Sequence, residues 1–162
     1  MTNQATADAH GHSDSPGRMP AVQELFDLSG RVALVTGAGS GLGAVFAEAL
    51  AEAGASVMCV GRRLERVQET AGTLQERGYP SHALSADVTD EAAISSMVHS
   101  TVDHFGRLDI LVNNAGTAAA GPPETISLAD WQRVVDVNLT GVCPPGASRT
   151  PRRPTRPTLR ST

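Results

Sequence analysis

The glycine-rich segment at residues 36–43 constrains the fold more than any other feature of the chain. A continuous apolar run of strand length precedes it, and apolar residues at helical spacing follow it from Leu42 to Ala53. Its glycines permit a tight turn, let the backbone approach a pyrophosphate closely, and place the N–H groups of a helix N-terminus beside an anion. The segment, with Gly41 opening the helix, therefore predicts a nucleotide-phosphate site; the alternative is a purely structural turn.

Strand and helix patterns alternate four times between residues 21 and 142, which predicts one α/β domain over this range. The apolar strands are continuous rather than alternating, as expected for a parallel sheet with helices on both faces. Asp90 and Ser127 occupy positions typical of helix N-caps. The predicted strands are 32–35, 57–60, 81–86 and 108–112, and the predicted helices are 42–53, 64–77, 91–105 and one through 131–139. On the first helix one face carries Leu42, Val45, Phe46, Ala49, Leu50 and Ala53.

The two ends of the chain differ in composition from the middle. Residues 1–20 are polar and without period, and residues 143–162 contain five Pro and five Arg but no acidic residue, so we expect both segments to be disordered. No apolar stretch approaches the roughly 18 residues that cross a bilayer, so we expect no membrane partner and a cytoplasmic location. The tail has no interleaved aromatic residues, so no nucleic-acid partner is expected. The two Cys and five His have no metal-ligand spacing, so we expect no metal site.

The predicted second strand ends in Gly61, followed by Arg62 and Arg63. An NAD-binding domain usually presents a carboxylate to the adenosine ribose at this place, and none is available here. A guanidinium can pair bidentately with a 2′-phosphate, so this sequence favours NADP(H) over NAD(H). The alternative is that both arginines are solvated surface charges.

Polar residues also follow the third and fourth predicted strands, as Asp87-Val88 and Asn113-Asn114-Ala115-Gly116. Parallel strands end at one crevice, so both segments are expected beside the glycine-rich segment, in reach of the two riboses of a dinucleotide. Asp87 and Asn113 could instead only satisfy backbone groups in local turns.

The chain resembles the short-chain dehydrogenases/reductases in four motifs that stand in the family's order and approximate spacing. They are Thr-Gly-x-x-x-Gly-x-Gly at 36–43, Asp-Val at 87–88, Asn-Asn-Ala-Gly at 113–116 and Val-Asn at 137–138. The resemblance implies an NAD(P)-dependent oxidoreductase that interconverts a ketone and a secondary alcohol, in a family that is commonly homo-oligomeric. It also implies a Rossmann-type doubly wound parallel sheet.

The resemblance assigns a role to individual residues. Cofactor contacts are implied for Gly37, Ser40, Leu42 and Gly43 in the glycine-rich segment, for Asp87 and Val88 at the adenine, and for Asn114, Ala115 and Gly116 beside the ribose. Asn113 is implied to tie the central strands together. Asn138 matches the asparagine that orders a water in the proton relay.

The family's remaining catalytic groups are a Ser on a fifth strand and a Tyr-x-x-x-Lys pair on the next helix. The Tyr hydroxyl passes a proton to the carbonyl oxygen, and the Lys ammonium lowers the Tyr pKa. This chain has no Lys, and its only Tyr is Tyr79. Asn138 is therefore the sole catalytic residue that the family pattern assigns to it.

The match to the family pattern stops after about residue 142, which suggests a truncated or frameshifted sequence. We therefore expect an incomplete sheet of about four strands in the order 3-2-1-4, with strand 4 as an exposed edge. The chain is then an inactive cofactor-binding fragment of such an oxidoreductase. The alternative is a non-catalytic nucleotide-binding or interaction module whose basic tail contacts phosphates or an acidic surface.

Overall fold

The computed structural model describes residues 25–142, without the side chain of Pro123, so the two predicted disordered segments lie outside the described residues. Within this range four strands form one sheet in the order β3-β2-β1-β4, and every neighbouring pair is parallel. The prediction of an α/β fold with strand order 3-2-1-4 is confirmed. The strands are β1 (Val32–Thr36), β2 (Ser56–Gly61), β3 (Ser81–Ser85) and β4 (Ile110–Val112).

Among the described residues, one α-helix follows each of the four strands, and two short 3-10 turns flank the helix that follows β4. The helices are α1 (Gly41–Glu52), α2 (Leu64–Glu76), α3 (Glu91–Phe105) and α4 (Leu128–Asn138), with 3-10 turns at Pro123–Thr125 and Thr140–Val142. Both predicted N-caps are confirmed: Asp90 accepts from the N–H of Ala92 at 2.8 Å, and Ser127 Oγ accepts from the N–H of Asp130 at 3.1 Å. Within residues 25–142 no helix combines the length and apolarity needed to cross a membrane.

The central strands β1 and β2 are buried on both faces, because successive side chains of a strand point to opposite sides and helices cover each side. On one face, Val35 and Cys59 pack with residues of α1 and α2; on the other, Leu34 and Met58 pack with residues of α3. Burial raises the pKa of the Cys59 thiol to about 12, so this sulfur is a packing group rather than a nucleophile at neutral pH. The continuous apolar sequence of the central strands β1 and β2 follows from this burial on both faces.

The face of α1 that packs on the sheet is not its most apolar face. Its buried residues are Gly43, Ala47 and Ala51, which recur at a spacing of four. Leu42 and Val45, from the apolar face noted in the sequence, are 68% and 56% exposed. These small side chains let the helix axis approach the sheet and the glycine-rich segment. Hydrophobic periodicity did not identify this face, because it depends on how apolar the residues are and not on their volume.

Strand β4 is shorter than the predicted run at 108–112 and forms one edge of the sheet among the described residues. Its central residue Leu111 is 48% exposed. Asp109 aligns the strand, since its backbone N–H donates to Val32 O at 2.9 Å and its carboxylate accepts from Val32 N–H at 3.0 Å. A hydrogen bond from Arg107 is the largest cause that lowers the pKa of Asp109, which keeps this carboxylate charged.

We expect Ala47→Leu to destabilise the protein by about 1–3 kcal/mol, because the added carbons must fit between α1 and the sheet at a fully buried position. Val45→Ala, on the exposed face of the same helix, should change the free energy of unfolding by less than about 0.5 kcal/mol. Urea unfolding of both variants measures the difference. An equal loss of stability in the two variants would contradict the orientation of α1.

Candidate nucleotide site

A cleft of about 350 Å³ lies at the carboxyl ends of the strands. This size falls within the range of small-molecule sites, and the position is that of ligand sites in open parallel sheets. Every residue predicted for the cofactor lines it except Gly41, whose role is to begin α1. These lining residues are Gly37, Ser40, Leu42, Gly43, Arg62, Arg63, Asp87, Val88, Asn114, Ala115 and Gly116. Their contact with a cofactor stays a prediction.

The structure adds residues to the cleft that the sequence analysis did not assign to the cofactor. Most are neighbours of predicted residues, whose side chains or backbone close the walls: Thr36, Gly39, Val60, Gly61, Val67, Ala86 and Val137. Arg66 is different, since it is charged and belongs to the polar helix α2. Arg66 lies in the first turn of α2, shortly after Arg62 and Arg63, and this closeness in sequence is the signal that could have found it.

The glycine-rich segment brings the first turn of α1 against β1 and the loop after β4. Gly37 and Gly41 have φ angles of +68° and +56°, in the left-handed region that favours glycine. At Gly43, a Cβ atom would overlap the carbonyl oxygen of Gly37 and lie 2.5 Å from Nδ2 of Asn114. The helix can therefore approach this closely only if position 43 has no side chain.

The N-terminus of α1 has free hydrogen-bonding capacity at the cleft. Ser40 is the N-cap and has an extended backbone, but its side chain forms no capping hydrogen bond, and the first turn contains no acidic residue. The first N–H groups of a helix have no intrahelical partner, and the helix dipole gives this end a partial positive charge. The arrangement can therefore bind the pyrophosphate of a dinucleotide.

Thr36 and Asn114 connect the glycine-rich segment to the loop after β4. The buried Thr36 hydroxyl accepts from the backbone N–H groups of Asn114 and Ala115, each at 3.1 Å, and donates to Val112 O at 3.3 Å. In return, Asn114 Nδ2 donates to Thr36 O at 3.0 Å. These hydrogen bonds therefore hold together two walls of the cleft, the glycine-rich segment and the loop after β4.

This bridging role was implied for Asn113, and the structure gives it to Asn114. Asn113 is exposed, and its Nδ2 donates to Val142 O at 3.2 Å. Adjacent side chains of an extended segment point in opposite directions, so only one of the two asparagines can face β1.

Asp87 forms a local turn at the edge of the cleft. Its Oδ1 accepts from Thr89 N–H at 2.9 Å and from the Thr89 hydroxyl at 2.8 Å. The N–H of Thr89 is the largest cause that lowers the pKa of Asp87; burial opposes it, and the Thr89 hydroxyl and the charge of Arg62 add to the lowering. Asp87 therefore forms the hydrogen bonds expected of a residue that stabilises a local turn, and it also lines the cleft.

Three arginines surround the cleft at the end of β2. Arg62 and Arg63 are exposed, and Arg63 is the N-cap of α2 without a side-chain capping bond. Neither forms an ion pair with a described residue, whereas Arg66 Nη1 lies 3.1 Å from Glu69 Oε2. This end of the cleft therefore has positive charge that no protein carboxylate among residues 25–142 fully neutralises.

Asn138 holds the end of α4 to the segment after β4. Its Oδ1 accepts from Thr117 N–H at 2.8 Å and its Nδ2 donates to Thr117 O at 2.9 Å. The preceding residue, Val137, lines the cleft, but Asn138 does not. Its role in ordering a catalytic water stays a prediction.

We expect Thr36→Val, which preserves shape and removes the hydroxyl, to cost about 1–3 kcal/mol, because two partly buried N–H groups lose their acceptor. Urea unfolding measures this loss. Thr73→Val is the control, since Thr73 is exposed and its hydroxyl only donates to Glu69 O in the same helix. Equal unfolding midpoints for the two variants would contradict the bridging role.

Comparison with known proteins gives a consistent result. A sequence profile of the short chain dehydrogenase family matches residues 31–147. Galactitol 2-dehydrogenase from Rhizobium johnstonii is 43% identical over 121 residues, which is 74% of this chain and 47% of that protein. D-threitol dehydrogenase from Mycolicibacterium smegmatis is 40% identical over 128 residues, or 76% of this chain and 49% of that protein.

Solved structures agree with the sequence matches. A short-chain type dehydrogenase/reductase from Mycobacterium marinum superposes with a TM-score of 0.73 at 36% identity, covering 76% of this chain and 50% of that one. A short chain dehydrogenase from Mycobacterium smegmatis gives 0.69 at 37% identity, covering 72% and 49%. The chain spans about half the length of the curated relatives that it matches.

Proposed function

The chain belongs to the short-chain dehydrogenase family, which binds NAD(H) or NADP(H), and from that premise we propose that its cleft binds NADP(H) in preference to NAD(H). The observation that carries the proposal is the pair Arg62 and Arg63 at the end of β2, where no carboxylate is available. A carboxylate at this place would accept a hydrogen bond from a ribose 2′-hydroxyl and repel a 2′-phosphate. Arginine does the reverse, because it pairs bidentately with phosphate oxygens.

The pyrophosphate is assigned to the start of α1. The uncapped N–H groups there, the absence of an acidic residue in the first turn, and the close backbone approach at Gly43 support this assignment. Asp87 and Val88 would then contact the adenosine, and Asn114 to Gly116 would contact the nicotinamide ribose.

We infer that the reaction served by this cleft is hydride transfer between a nicotinamide and a ketone or secondary alcohol. The relatives named for galactitol and D-threitol act on polyols by their names, which supports an alcohol substrate. When bound, the reduced cofactor would supply a hydride to a ketone and the oxidised cofactor would accept one from a secondary alcohol; the residues of this cleft would bind and orient it. A cytoplasmic location and homo-oligomeric assembly are proposals that follow from the family.

We further infer that the 162-residue chain binds the cofactor without turning it over. The family pattern requires a Tyr-x-x-x-Lys pair, and this sequence has no Lys. Its only Tyr, Tyr79, packs against the core cluster that includes Leu74 and does not line the cleft. Among the described residues, the cleft therefore has no Tyr–Lys pair of the kind that donates the proton in the family.

Replacing Arg62 and Arg63 together by Ala should weaken NADPH binding about tenfold or more, because charged hydrogen bonds each contribute about 1.5–3 kcal/mol. NADH affinity should stay unchanged, which serves as the control for folding. Fluorescence titration of both cofactors measures the two dissociation constants. A wild-type chain that binds NADH as tightly as NADPH would overturn the proposed preference.

The purified chain should show no saturable cofactor-dependent turnover above buffer with a panel of ketones and secondary alcohols. Absorbance at the reduced-nicotinamide band follows the reaction. The D-threitol dehydrogenase relative, assayed with threitol under the same conditions, is the positive control. Saturable turnover by this chain would mean that another residue replaces the missing Tyr and Lys.

A further inference from the structure

The first two turns of α2 lie directly on the glycine-rich segment. Thr70 Oγ1 donates to Ala38 O at 2.9 Å, and a Cβ atom at Gly39 would lie 2.8 Å from the Cβ of Arg66. Val67, between them, is fully buried. The base of the Arg66 side chain is therefore fixed beside the phosphate-binding backbone, and its guanidinium can swing without any movement of the helix.

Arg66 differs from its two neighbours in having a carboxylate partner. Its Nη1 lies 3.1 Å from Glu69 Oε2, three residues along the same helix. Among the described arginines, only Arg62 and Arg63 form no such pair; the paired ones are Arg31, Arg66, Arg77, Arg107 and Arg133. Arg66 is thus the one paired arginine that also lines the cleft.

We propose that Arg66 is a third ligand of the cofactor 2′-phosphate and that Glu69, by holding Arg66 in an ion pair, limits how strongly NADP(H) is favoured over NAD(H). This inference rests on the proposed function, since it assumes that the cleft holds a nicotinamide dinucleotide. It assigns a selectivity role to two residues of α2 beyond the pair at the end of β2.

The ion pair between Arg66 and Glu69 is weak enough for Arg66 to leave Glu69 and pair with a phosphate instead. The two side chains are 56% and 66% exposed, and a solvent-exposed pair of this kind is weak and screened by salt. A phosphate monoester has close to two negative charges at neutral pH and accepts a bidentate pair from a guanidinium, so it displaces a single carboxylate oxygen. NAD(H) has only a neutral hydroxyl at this position, so it gains nothing from a released Arg66.

The test uses the full 162-residue chain and fluorescence titration with NADPH and NADH. Arg66→Ala should weaken NADPH binding about fivefold to tenfold, and Glu69→Gln should strengthen it about twofold to threefold at low salt. NADH affinity should not change in either variant, which shows that the fold is intact. In the Arg66→Ala background, Glu69→Gln should have no effect, because the two residues act through one pair.

Two matched controls separate this mechanism from general charge effects. Arg133→Ala removes an arginine of the same 56% exposure, paired with Asp130 at the same spacing, but on α4 and outside the cleft. Glu76→Gln makes the same charge change at the far end of α2. Neither should alter NADPH affinity. An equal gain in Glu69→Gln and Glu76→Gln would overturn the role of Glu69.

The two proposals fail in different ways. If the wild-type chain binds NADPH no more tightly than NADH, the preference for NADP(H) and this inference are both wrong. If the preference depends on Arg62 and Arg63 but survives in Arg66→Ala, only the role of Arg66 is wrong. If Arg66→Ala weakens both cofactors equally, Arg66 acts on the fold or the pyrophosphate and the inference is also overturned.

Discussion

The geometry of the whole cleft depends on the absence of one carbon atom at Gly43. A side chain there would overlap the Gly37 carbonyl and press on Asn114, so α1 would have to move away from β1. With glycine, the helix N-terminus reaches the strand ends, and its uncapped N–H groups open into the cleft. The same closeness requires small residues along the sheet-facing side of the helix, at Ala47 and Ala51.

The charges around the cleft are separated along its length. The α1 dipole gives partial positive charge at the proposed pyrophosphate position, and the arginines after β2 provide full charges at the proposed adenosine end. Asp87 is the charged carboxylate at the same edge, but its Oδ1 is engaged by Thr89. A dinucleotide with a third phosphate would therefore meet positive charge at both of its anionic groups, the central pyrophosphate and the 2′-phosphate, which would give direction as well as affinity.

The sequence predicted the strands, their order, both N-caps and most of the cleft, because these depend on local patterns and on the rule that parallel strands end together. The packing face of α1 was not predictable from periodicity, which counts apolar residues and not their volumes. That Asn114 and not Asn113 forms the bridge depends on the backbone orientation of this segment, which two adjacent identical residues do not indicate. From the sequence, Arg66 cannot be distinguished from an ordinary surface charge. Its place at the cleft follows from the packing of α2 on the glycine-rich segment, which local patterns do not predict.

The hydroxyl of Thr36 joins the glycine-rich segment to the loop that follows the edge strand β4. Edge strands fray first in hydrogen exchange, since they have bonding partners on one side only. Here the fraying of β4 must also break the unit that shapes the cleft. A ligand that binds only the intact cleft lowers the population of the frayed state. Binding at the phosphate end should therefore slow hydrogen exchange of the backbone amides in β4. We therefore expect β4 and the proposed nucleotide site to unfold as one cooperative unit.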